Sequence, residues 1–474
     1  MVFSSITFLT VFLPVTVIFY YLPVLFIRKN TDSGFYKSYK NTVLCLASLV
    51  FYAWGEPRNI VLMLLSIVFN FTVALHLDKY ERGSFGRKAR MVFSVAFNLG
   101  LLVFFKYSGF VTENIEAMTG FSFAYSEPAL PIGISFYTFQ ILSYVIDVYK
   151  GKTPVQRNIR DFALYISMFP QLIAGPIVQY SDIDTQLSLR KESFNSFSDG
   201  IFVFCVGLAK KTVLANTAGA VFNDFTAVGI GEMSALGAWS AIIFYAFQIY
   251  FDFSGYSDMA IGLGRMFGFE FPVNFNRPYT ADSITDFWRR WHITLSCWFR
   301  DYVYIPLGGN RCSVPRNIFN LFVVWSLTGL WHGASWNFLL WGIYYFVLLV
   351  LEKYILGGII SKIPVILRRI ITFVFVLFGW VLFCCTDVAD ISRFFSDMLA
   401  VNGLISSDAV YILYSNLVML MIMAVSATGL FTYRKRGGKT VNTPREYAAA
   451  LLLFAVSVIY LIGQSYNPFL YFRF

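Results

Sequence analysis

The sequence has few charged residues for its length. Of its 474 residues, 14% are Asp, Glu, Lys or Arg, whereas 57% are hydrophobic and 52 are phenylalanine. A soluble chain carries about 25% charged residues, because its surface must be hydrated. Length alone, at roughly 150 residues per domain, would suggest about three soluble domains, and this composition excludes them. We therefore predict an all-α polytopic membrane protein.

Cysteine is also scarce, and its pattern excludes two kinds of site. The six cysteines form no C-x-x-C pair and have no metal-ligand spacing, so we expect neither a disulfide framework nor a bound metal. The formal net charge of +10 would suggest nucleic-acid binding in a soluble protein. Here the Lys and Arg residues lie in short loops between apolar runs, so we expect no nucleic-acid partner.

Long apolar runs dominate what remains, and a helix needs about 20 such residues to cross a bilayer. The sequence predicts spans at roughly 6–27, 41–54, 59–76, 91–105, 131–148, 197–216, 235–263, 317–331, 334–352, 370–385, 410–431 and 447–463. The apolar stretch 161–178 contains Pro170, Gly175 and Pro176, so we predict a re-entrant segment buried among other helices. These runs predict roughly 11 to 13 transmembrane or re-entrant helices within one integral-membrane domain, residues 1–474.

The charges of the loops predict a topology. The loops at 28–40, 77–90, 149–160, 353–369 and 432–445 are basic, whereas those at 106–130 and 386–409 are mainly acidic. By the positive-inside rule the basic loops are cytoplasmic, which places both termini outside. Counting back from the C-terminal loops places residues near 332 toward the external side of the membrane.

Histidine is the rarest candidate for chemistry, with three in the chain. His332, in SLTGLWHGASW, is the one ionisable residue between Arg316 and Glu352. An ionisable group within a membrane span is costly, so a functional role is its default interpretation, although a neighbouring helix could also satisfy a neutral histidine. His292, in FWRRWHITLS, is the second candidate, and His76 is interpreted as interfacial. A histidine suits a general base, because its pKa near 6.5 lets it exchange a proton near neutral pH.

Arginine and aromatic residues concentrate in residues 264–316. The candidates for binding a ligand there are Arg289, Arg290, Arg300, Arg311 and Arg316. They predict either an interfacial belt of snorkelling side chains or a cytoplasmic mouth that attracts a polyanionic donor, and charge alone does not separate the two. Asp252 and Asp258 lie in or beside an apolar span, where we expect them to pair with arginine or to line a polar cavity.

Several motifs resemble the membrane-bound O-acyltransferase family. They are PIGISFYTFQ (131–140), FPQLIAGPI (169–177), FDFSGYSDMA (251–260), DFWRRWHITLSCWFRDYVYIPLGGN (286–310) and LWHG (330–333). The similarity covers most of the chain, is densest over 130–342, and is greatest to the AlgI-like branch that O-acetylates alginate, peptidoglycan or cellulose. It implies a helical fold around a central tunnel, with His332 as the principal catalytic histidine and His292 as the second family position.

The resemblance also implies a reaction and its partners. An acetyl group would pass from a cytoplasmic thioester, acetyl-CoA, to an exported polysaccharide or peptidoglycan, directly or through an extracytoplasmic SGNH-hydrolase-like partner. The enzyme would lie in the bacterial cytoplasmic (inner) membrane, with acetyl-CoA as a substrate and no bound cofactor. Two alternatives stay open: D-alanyl transfer to teichoic acid by a DltB-like relative, and a transporter or flippase. A transporter would be expected to show repeated halves, which this sequence lacks.

The C-terminal residues 464–474 form an aromatic tail that ends PFLYFRF. Aromatic residues commonly anchor a chain at the membrane interface, which is one interpretation of the tail. The other is that Tyr471 accepts the acetyl group with help from His332, because a tethered phenol has a high effective concentration at a nearby site. The tail also resembles the tyrosine-bearing tail of the small protein that accompanies the D-alanyl relatives. We predict that Tyr471 is an acyl relay.

Overall fold

The structure is a computed structural model that describes residues 1–26, 34–173, 175–429, 443–463 and 469–470. Over these ranges the chain is α-helical and has no β-strand, which confirms the predicted all-α polytopic class. The helices are α1 (Leu13–Phe26), α2 (Gly34–Gly55), α3 (Ile60–Asp78), α4 (Phe85–Thr119), α5 (Ile134–Lys150), α6 (Ile159–Ser167), α7 (Phe169–Leu172), α8 (Tyr180–Leu189), α9 (Phe194–Ala209), α10 (Asn216–Thr226), α11 (Ala235–Met266), α12 (Ile284–Arg290), α13 (Ile293–Phe299), α14 (Val314–His332), α15 (Trp336–Leu351), α16 (Gly357–Ile360), α17 (Val365–Cys384), α18 (Val388–Met398), α19 (Ser407–Ser415), α20 (Leu417–Ala427) and α21 (Pro444–Gly463). Short π-helical segments lie at Phe8–Phe12, Lys210–Ala215, Arg300–Tyr304 and Glu352–Leu356.

Seven helical segments of the described chain are long and apolar enough to cross a bilayer. They become eight if α19 and α20, which meet at 59°, form one bent span. Within the described residues, each predicted span overlaps a helix or, at 410–431, the bent pair α19 and α20. Several of these helices are shorter or more polar than a simple span; α5, for instance, has Asp147 and Lys150 in its last turn. The number of crossings, and the re-entrant helices included in the predicted 11 to 13, therefore stay predictions.

The stretch 161–178 is broken and buried, as its Pro and Gly residues predict. It contains the end of α6, the single turn of α7 and a non-helical segment before α8. Phe162, Phe169 and Val178 are fully enclosed. A Cβ on Gly175 would lie 2.6 Å from Cα of Gln171, so the chain turns there at a distance that only glycine allows.

The starts of α2, α4 and α6 and the end of α5 meet at one end of the helices, which we name the basic end. Arg87 donates to the carbonyl of Val148 at 2.9 Å, and Arg160 donates to the carbonyl of Ser38 at 3.1 Å. Described residues of three segments that the sequence assigns to the same side of the membrane are therefore neighbours in space.

The opposite end, which we name the acidic end, contains the C-terminal part of α4, the loop between α14 and α15, and the end of α17. Tyr107 donates to the carbonyl of Leu330 at 2.7 Å, and Trp336 donates to Asn114 Oδ1 at 3.0 Å. Between Arg87 and Asn114, α4 rises by about 40 Å, so it runs from one end to the other. His332 lies at the acidic end, opposite the basic loops.

Helices α9 and α11 pack with their backbones in contact. A Cβ on Gly207 would lie 2.5 Å from the carbonyl oxygen of Gly255, and a Cβ on Gly200 would lie 2.6 Å from that of Gly262. Small residues at such spacing let membrane helices approach closely. The contact holds the Lys210–Ala215 segment, which continues α9, against the middle of α11.

This packing supplies partners for the two carboxylates of α11. Lys211 Nζ lies 2.5 Å from Asp252 Oδ1, and Lys210 Nζ lies 2.6 Å from Asp258 Oδ2. The partners are lysines, so the expectation of arginine partners was wrong. The lysine partners were not predicted from the sequence, because Lys210 and Lys211 lie within a predicted membrane span.

We expect Gly207→Val to prevent close packing of α9 on α11. The added side chain must push two backbones apart, and overpacking of this kind costs about 1–3 kcal/mol or more. The melting temperature and monodisperse yield of the detergent-purified protein should both fall. Gly100→Val is the matched control, since that helical glycine is exposed and nothing lies within 4 Å of its Cβ position. Equal losses for both variants would contradict the role of the glycine contact.

Candidate functional site

His332 is the last residue of α14 and is enclosed by aromatic rings. Its ring centroid lies 4.9 Å from that of Trp341, 5.1 Å from that of Trp331 and 5.4 Å from that of Phe383. The helix ends here because Gly333 takes an extended conformation. The imidazole is 5% exposed, so bulk water has little access to it.

Two side chains of α4 hold the end of α14. The ammonium of Lys106 lies 2.5 Å from the carbonyl oxygen of Trp331 and 3.3 Å from that of His332, and Tyr107 binds the preceding carbonyl. The last carbonyls of a helix lack partners within the helix and carry partial negative charge. The Lys106 side chain donates to two of these carbonyls and so fixes the backbone that carries the histidine.

A small cavity opens beside His332. Its volume is about 100 Å³, and Lys106, Trp331, His332 and the segment 130–136 contribute to its lining. The segment comes from the motif PIGISFYTFQ, whose Gly133 has a φ of +77° and precedes α5. The cavity therefore joins two sequence motifs that are about 200 residues apart. This cavity is our candidate for one part of the predicted central tunnel. A continuous passage through the membrane stays a prediction.

His292 connects α12 to α13 in a strained backbone conformation, with a φ of +43°. Its Nδ1 lies 3.1 Å from Asn274 Oδ1. The same oxygen accepts from the backbone N–H of Thr294 at 3.2 Å and from its hydroxyl at 3.0 Å. Non-glycine residues rarely adopt positive φ, and such strain persists where the surroundings enforce it.

The hydrogen bonds of Asn274 determine which nitrogen of a neutral His292 carries the proton. The Asn274 atom that faces the ring accepts from a backbone N–H, so it is the amide oxygen. Nδ1 must then donate, and the lone pair of the neutral imidazole lies on Nε2. Thr294 in turn accepts from the N–H of Ile177, which ties this network to the buried stretch before α8.

Both histidines pack against one indole ring. The centroid of Trp331 lies 5.9 Å from that of His292 and 5.1 Å from that of His332. Phe136 and Phe139 of α5 cover the same indole at 5.4 and 5.6 Å. The structure thus brings the two predicted histidines into one cluster. His76 is not part of it: its Nδ1 lies 2.8 Å from the carbonyl of Thr72, within its own helix.

The five candidate arginines lie at the protein surface. A surface position agrees both with an interfacial belt of snorkelling side chains and with a mouth that attracts a polyanionic donor. Arg289 and Arg311 are exposed, Arg290 pairs with Asp286 at 2.8 Å, and Arg316 donates to the carbonyl of Leu307 at 3.3 Å. Arg300 pairs with Asp301 at 2.7 Å, and this hydrogen bond raises the pKa of its guanidinium.

The arginine segment lies near the basic end. Tyr302, two residues from Arg300, donates to Asp147 at 2.7 Å, where α5 runs into the loop that precedes α6. Burial and this hydrogen bond raise the pKa of Tyr302, so the phenol keeps its proton. The segment therefore lies where a donor could approach from the side of the basic loops.

Tyr471 lies outside the described residues, but the two residues before it do not. The ring of Phe469 packs between Phe253 and Tyr256 of α11, with centroid distances of 5.7 and 5.1 Å. The N–H of Leu470 donates to Asp252 Oδ2 at 2.7 Å. Phe253 in turn contacts His292, with ring centroids 4.6 Å apart.

Three contributors to the site were not singled out from the sequence. Lys106 was interpreted only as the one basic charge of an acidic loop, Asn274 was given no role of its own, and Phe469 was considered only as part of the aromatic tail. The signal for Lys106 was available, because it directly follows the apolar run 91–105, and an ionisable residue at a membrane span is a functional candidate. Asn274 and Phe469 act through contacts across 18 and more than 200 residues, which local sequence pattern does not reveal.

Comparisons with known proteins agree with this site. Residues 153–391 match the model of the membrane-bound O-acyltransferase family. A Pseudomonas aeruginosa protein named "Probable alginate O-acetylase AlgI" is 36% identical over the full length of both chains. A peptidoglycan O-acetyltransferase of Helicobacter pylori is 33% identical over 96% of each chain.

A more distant match is a teichoic acid D-alanyltransferase of Bacillus subtilis, 29% identical over 53% of this chain and 68% of the relative. The family match covers both histidines and the arginine segment, and the acetylase relatives extend over the whole chain. This multi-pass helical protein is therefore an acyltransferase and belongs to the membrane-bound O-acyltransferase family.

Proposed function

We propose that this enzyme transfers an acetyl group from cytoplasmic acetyl-CoA, across the bacterial inner membrane, for O-acetylation of an exported polysaccharide or peptidoglycan. Full-length similarity to proteins named for alginate and peptidoglycan acetylation supports the acetyl group and an envelope acceptor. Similarity to D-alanyltransferases covers about half of the chain, so D-alanyl transfer is the second candidate. The transporter alternative receives no support from an acyltransferase family.

The observation that carries the proposal is the position of His332. It is enclosed by aromatic rings beside a cavity at the acidic end, opposite the basic loops. Under the positive-inside rule the basic end faces the cytoplasm. The acceptor would then reach His332 from outside, and both termini would be external. The arginines of 264–316, near the basic end, would attract the phosphates of the donor.

The chemistry needs one base. His332 takes the proton of an acceptor hydroxyl, whose oxygen attacks the thioester carbonyl; the C–O bond forms, the C–S bond breaks, and the thiolate leaves and is protonated. A water-poor aromatic enclosure protects the thioester from hydrolysis. The proton that His332 has taken then passes to the thiolate sulfur, which restores the neutral base. His292, with its lone pair on Nε2, would accept a hydrogen bond from the donor and so orient it.

Tyr471 is the proposed first acceptor. The two residues before it, Phe469 and Leu470, contact α11, and Phe253 of that helix also contacts His292. Acetyl would form an ester with the phenol oxygen and then pass to a hydroxyl of the glycan, or of an extracytoplasmic SGNH-hydrolase-like partner. In that second step the aryl ester bond breaks and the proton of the accepting hydroxyl returns to the phenol oxygen. A phenyl ester is more reactive than the alkyl ester formed on a sugar hydroxyl, so the second transfer is favourable.

The first test concerns the base. We expect His332→Ala and His332→Gln to abolish transfer, because neither side chain can take the acceptor proton near neutral pH. Membrane vesicles containing the acceptor glycan are supplied with acetyl-CoA labelled in the acetyl group, and ester-linked label is measured. His76→Ala is the control and should retain activity. Near-normal labelling by a well-folded His332 variant would refute the assignment of His332 as the base. D-alanyl esters in place of acetyl esters on the native glycan would favour D-alanyl transfer.

The second test concerns the relay. Tyr471→Phe keeps size and apolarity but removes the hydroxyl, so we expect glycan acetylation to be lost while the protein stays folded. Mass spectrometry of the C-terminal peptide should detect acetyl-tyrosine in the parent enzyme. Tyr460→Phe, in the last helix, is the matched control. Full acetylation by Tyr471→Phe would leave the tail as a membrane anchor.

The third test concerns Lys106. Removing its ammonium with Lys106→Met leaves carbonyls at the end of α14 without their donor, and hydrogen bonds to charged groups contribute about 1.5–3 kcal/mol. We expect the transfer rate to fall by about tenfold or more, with partial retention by Lys106→Arg. The melting temperature is measured in parallel. Reduced transfer with an unchanged melting temperature would indicate a displaced His332, whereas a lowered melting temperature would indicate general unfolding. Unchanged transfer by Lys106→Met would show that the end of α14 is held without it.

A further inference from the structure

A second, larger cavity lies at the basic end, between the first turn of α2 and the start of α9. Its volume is about 690 Å³, within the range of pockets that hold a small organic ligand. Four cations line it: Lys37, Lys40, Arg190 and Lys191. Neither the acyl transfer step nor the candidate arginines involve any of these residues.

Two of the four cations are held by protein partners. Lys40 Nζ lies 2.8 Å from Glu192 Oε2, and Arg190 donates to Asn41 Oδ1 at 2.6 Å. Burial raises the pKa of Glu192, but the hydrogen bonds from Lys40 and Tyr20 and the nearby cations outweigh it and lower that pKa. The lining thus contains one ionised carboxylate against four cations, and its charge is strongly positive.

The other two cations are available to a ligand. Lys191 is exposed and Lys37 is partly exposed, and neither forms an ion pair with any described carboxylate. They therefore differ from Lys40 and Arg190, whose side chains build the wall of the cavity. An anion that enters would meet these two ammonium groups and the basic wall formed by Lys40 and Arg190.

Exposed aromatic residues lie at and near the cavity. Phe19 of α1 is 54% exposed, and Phe194, which lines the cavity at the start of α9, is 77% exposed. Tyr21 and Tyr36 also line it. Aromatic side chains next to cations at a helix end are typical of the membrane interface. The ligand that fits has an anionic head and an apolar tail.

We propose that this cavity binds the phosphate-bearing headgroup of an anionic phospholipid, with the acyl chains lying along α1 and Phe194. Basic pockets between membrane helices on the cytoplasmic side bind such headgroups. The site is separate from the histidine cluster: Tyr21 donates to the carbonyl of Met266, and α11 rises about 20 Å between Met266 and Phe253, which contacts His292. The proposal therefore goes beyond acyl transfer and does not depend on it.

The test measures lipid binding to the full-length protein in mild detergent by native mass spectrometry. Phosphatidylglycerol, phosphatidylcholine and acetyl-CoA are titrated separately. We expect selective binding of phosphatidylglycerol, weakened by about tenfold or more in the double variant Lys37→Gln/Lys191→Gln, because each lysine near an anionic lipid contributes to binding. Lys79→Gln/Lys88→Gln is the matched control: both residues are exposed, at the basic end and outside the cavity, and the charge change is the same.

Each other outcome would overturn the assignment. Equal binding by the two double variants would show that phosphatidylglycerol attaches elsewhere. Loss of acetyl-CoA binding with phosphatidylglycerol binding intact would assign the cavity to the donor. Loss of both would indicate a phosphate site without preference for lipid, and equal binding of phosphatidylcholine would exclude recognition of negative charge.

Discussion

Several buried polar groups that build the site are bound by other groups of the protein, because a bilayer offers no water to replace those partners. That requirement shapes the site more than any other. Lys106 binds the carbonyls that end α14, the amide of Asn274 binds His292 and Thr294, and Lys211 pairs with Asp252. Each partnership joins segments distant in sequence, so satisfying the polar groups also fixes how the helices are arranged around the histidines.

The α9–α11 contact is the structural basis of one of these partnerships. Two glycine pairs bring the backbones together, and the π-helical turn Lys210–Ala215 then places two consecutive lysines beside two carboxylates of α11. Asp252 has a second role, because its other oxygen binds the N–H of Leu470. One carboxylate thus connects the helix core to the C-terminal segment near His292. A buried ion pair contributes little net stability by itself, and a positioning role accounts better for its presence.

The sequence was sufficient to predict the fold class and the helical positions of the apolar runs, because both depend on local composition. It also singled out His292 and His332, since an ionisable residue among apolar neighbours is visible in a single segment. The structure brings these two residues together, and their roles in transfer stay predictions. It was not sufficient for Asn274, Lys106 as a helix-end donor, or the lysine partners of Asp252 and Asp258. Those roles depend on which helices touch, and glycine contacts between distant helices decide that.

The arrangement of the two histidines explains why one indole is central to the site. Trp331 precedes His332 in the chain, its carbonyl is bound by Lys106, and its ring packs against His292. Movement of α4 would therefore reach His332 through the backbone and His292 through the indole. The strained backbone of His292 has little freedom to follow, because Asn274 and Thr294 hold it. His292 is thus held by the network of Asn274, whereas the end of α14 is held by Lys106 and Tyr107 of α4.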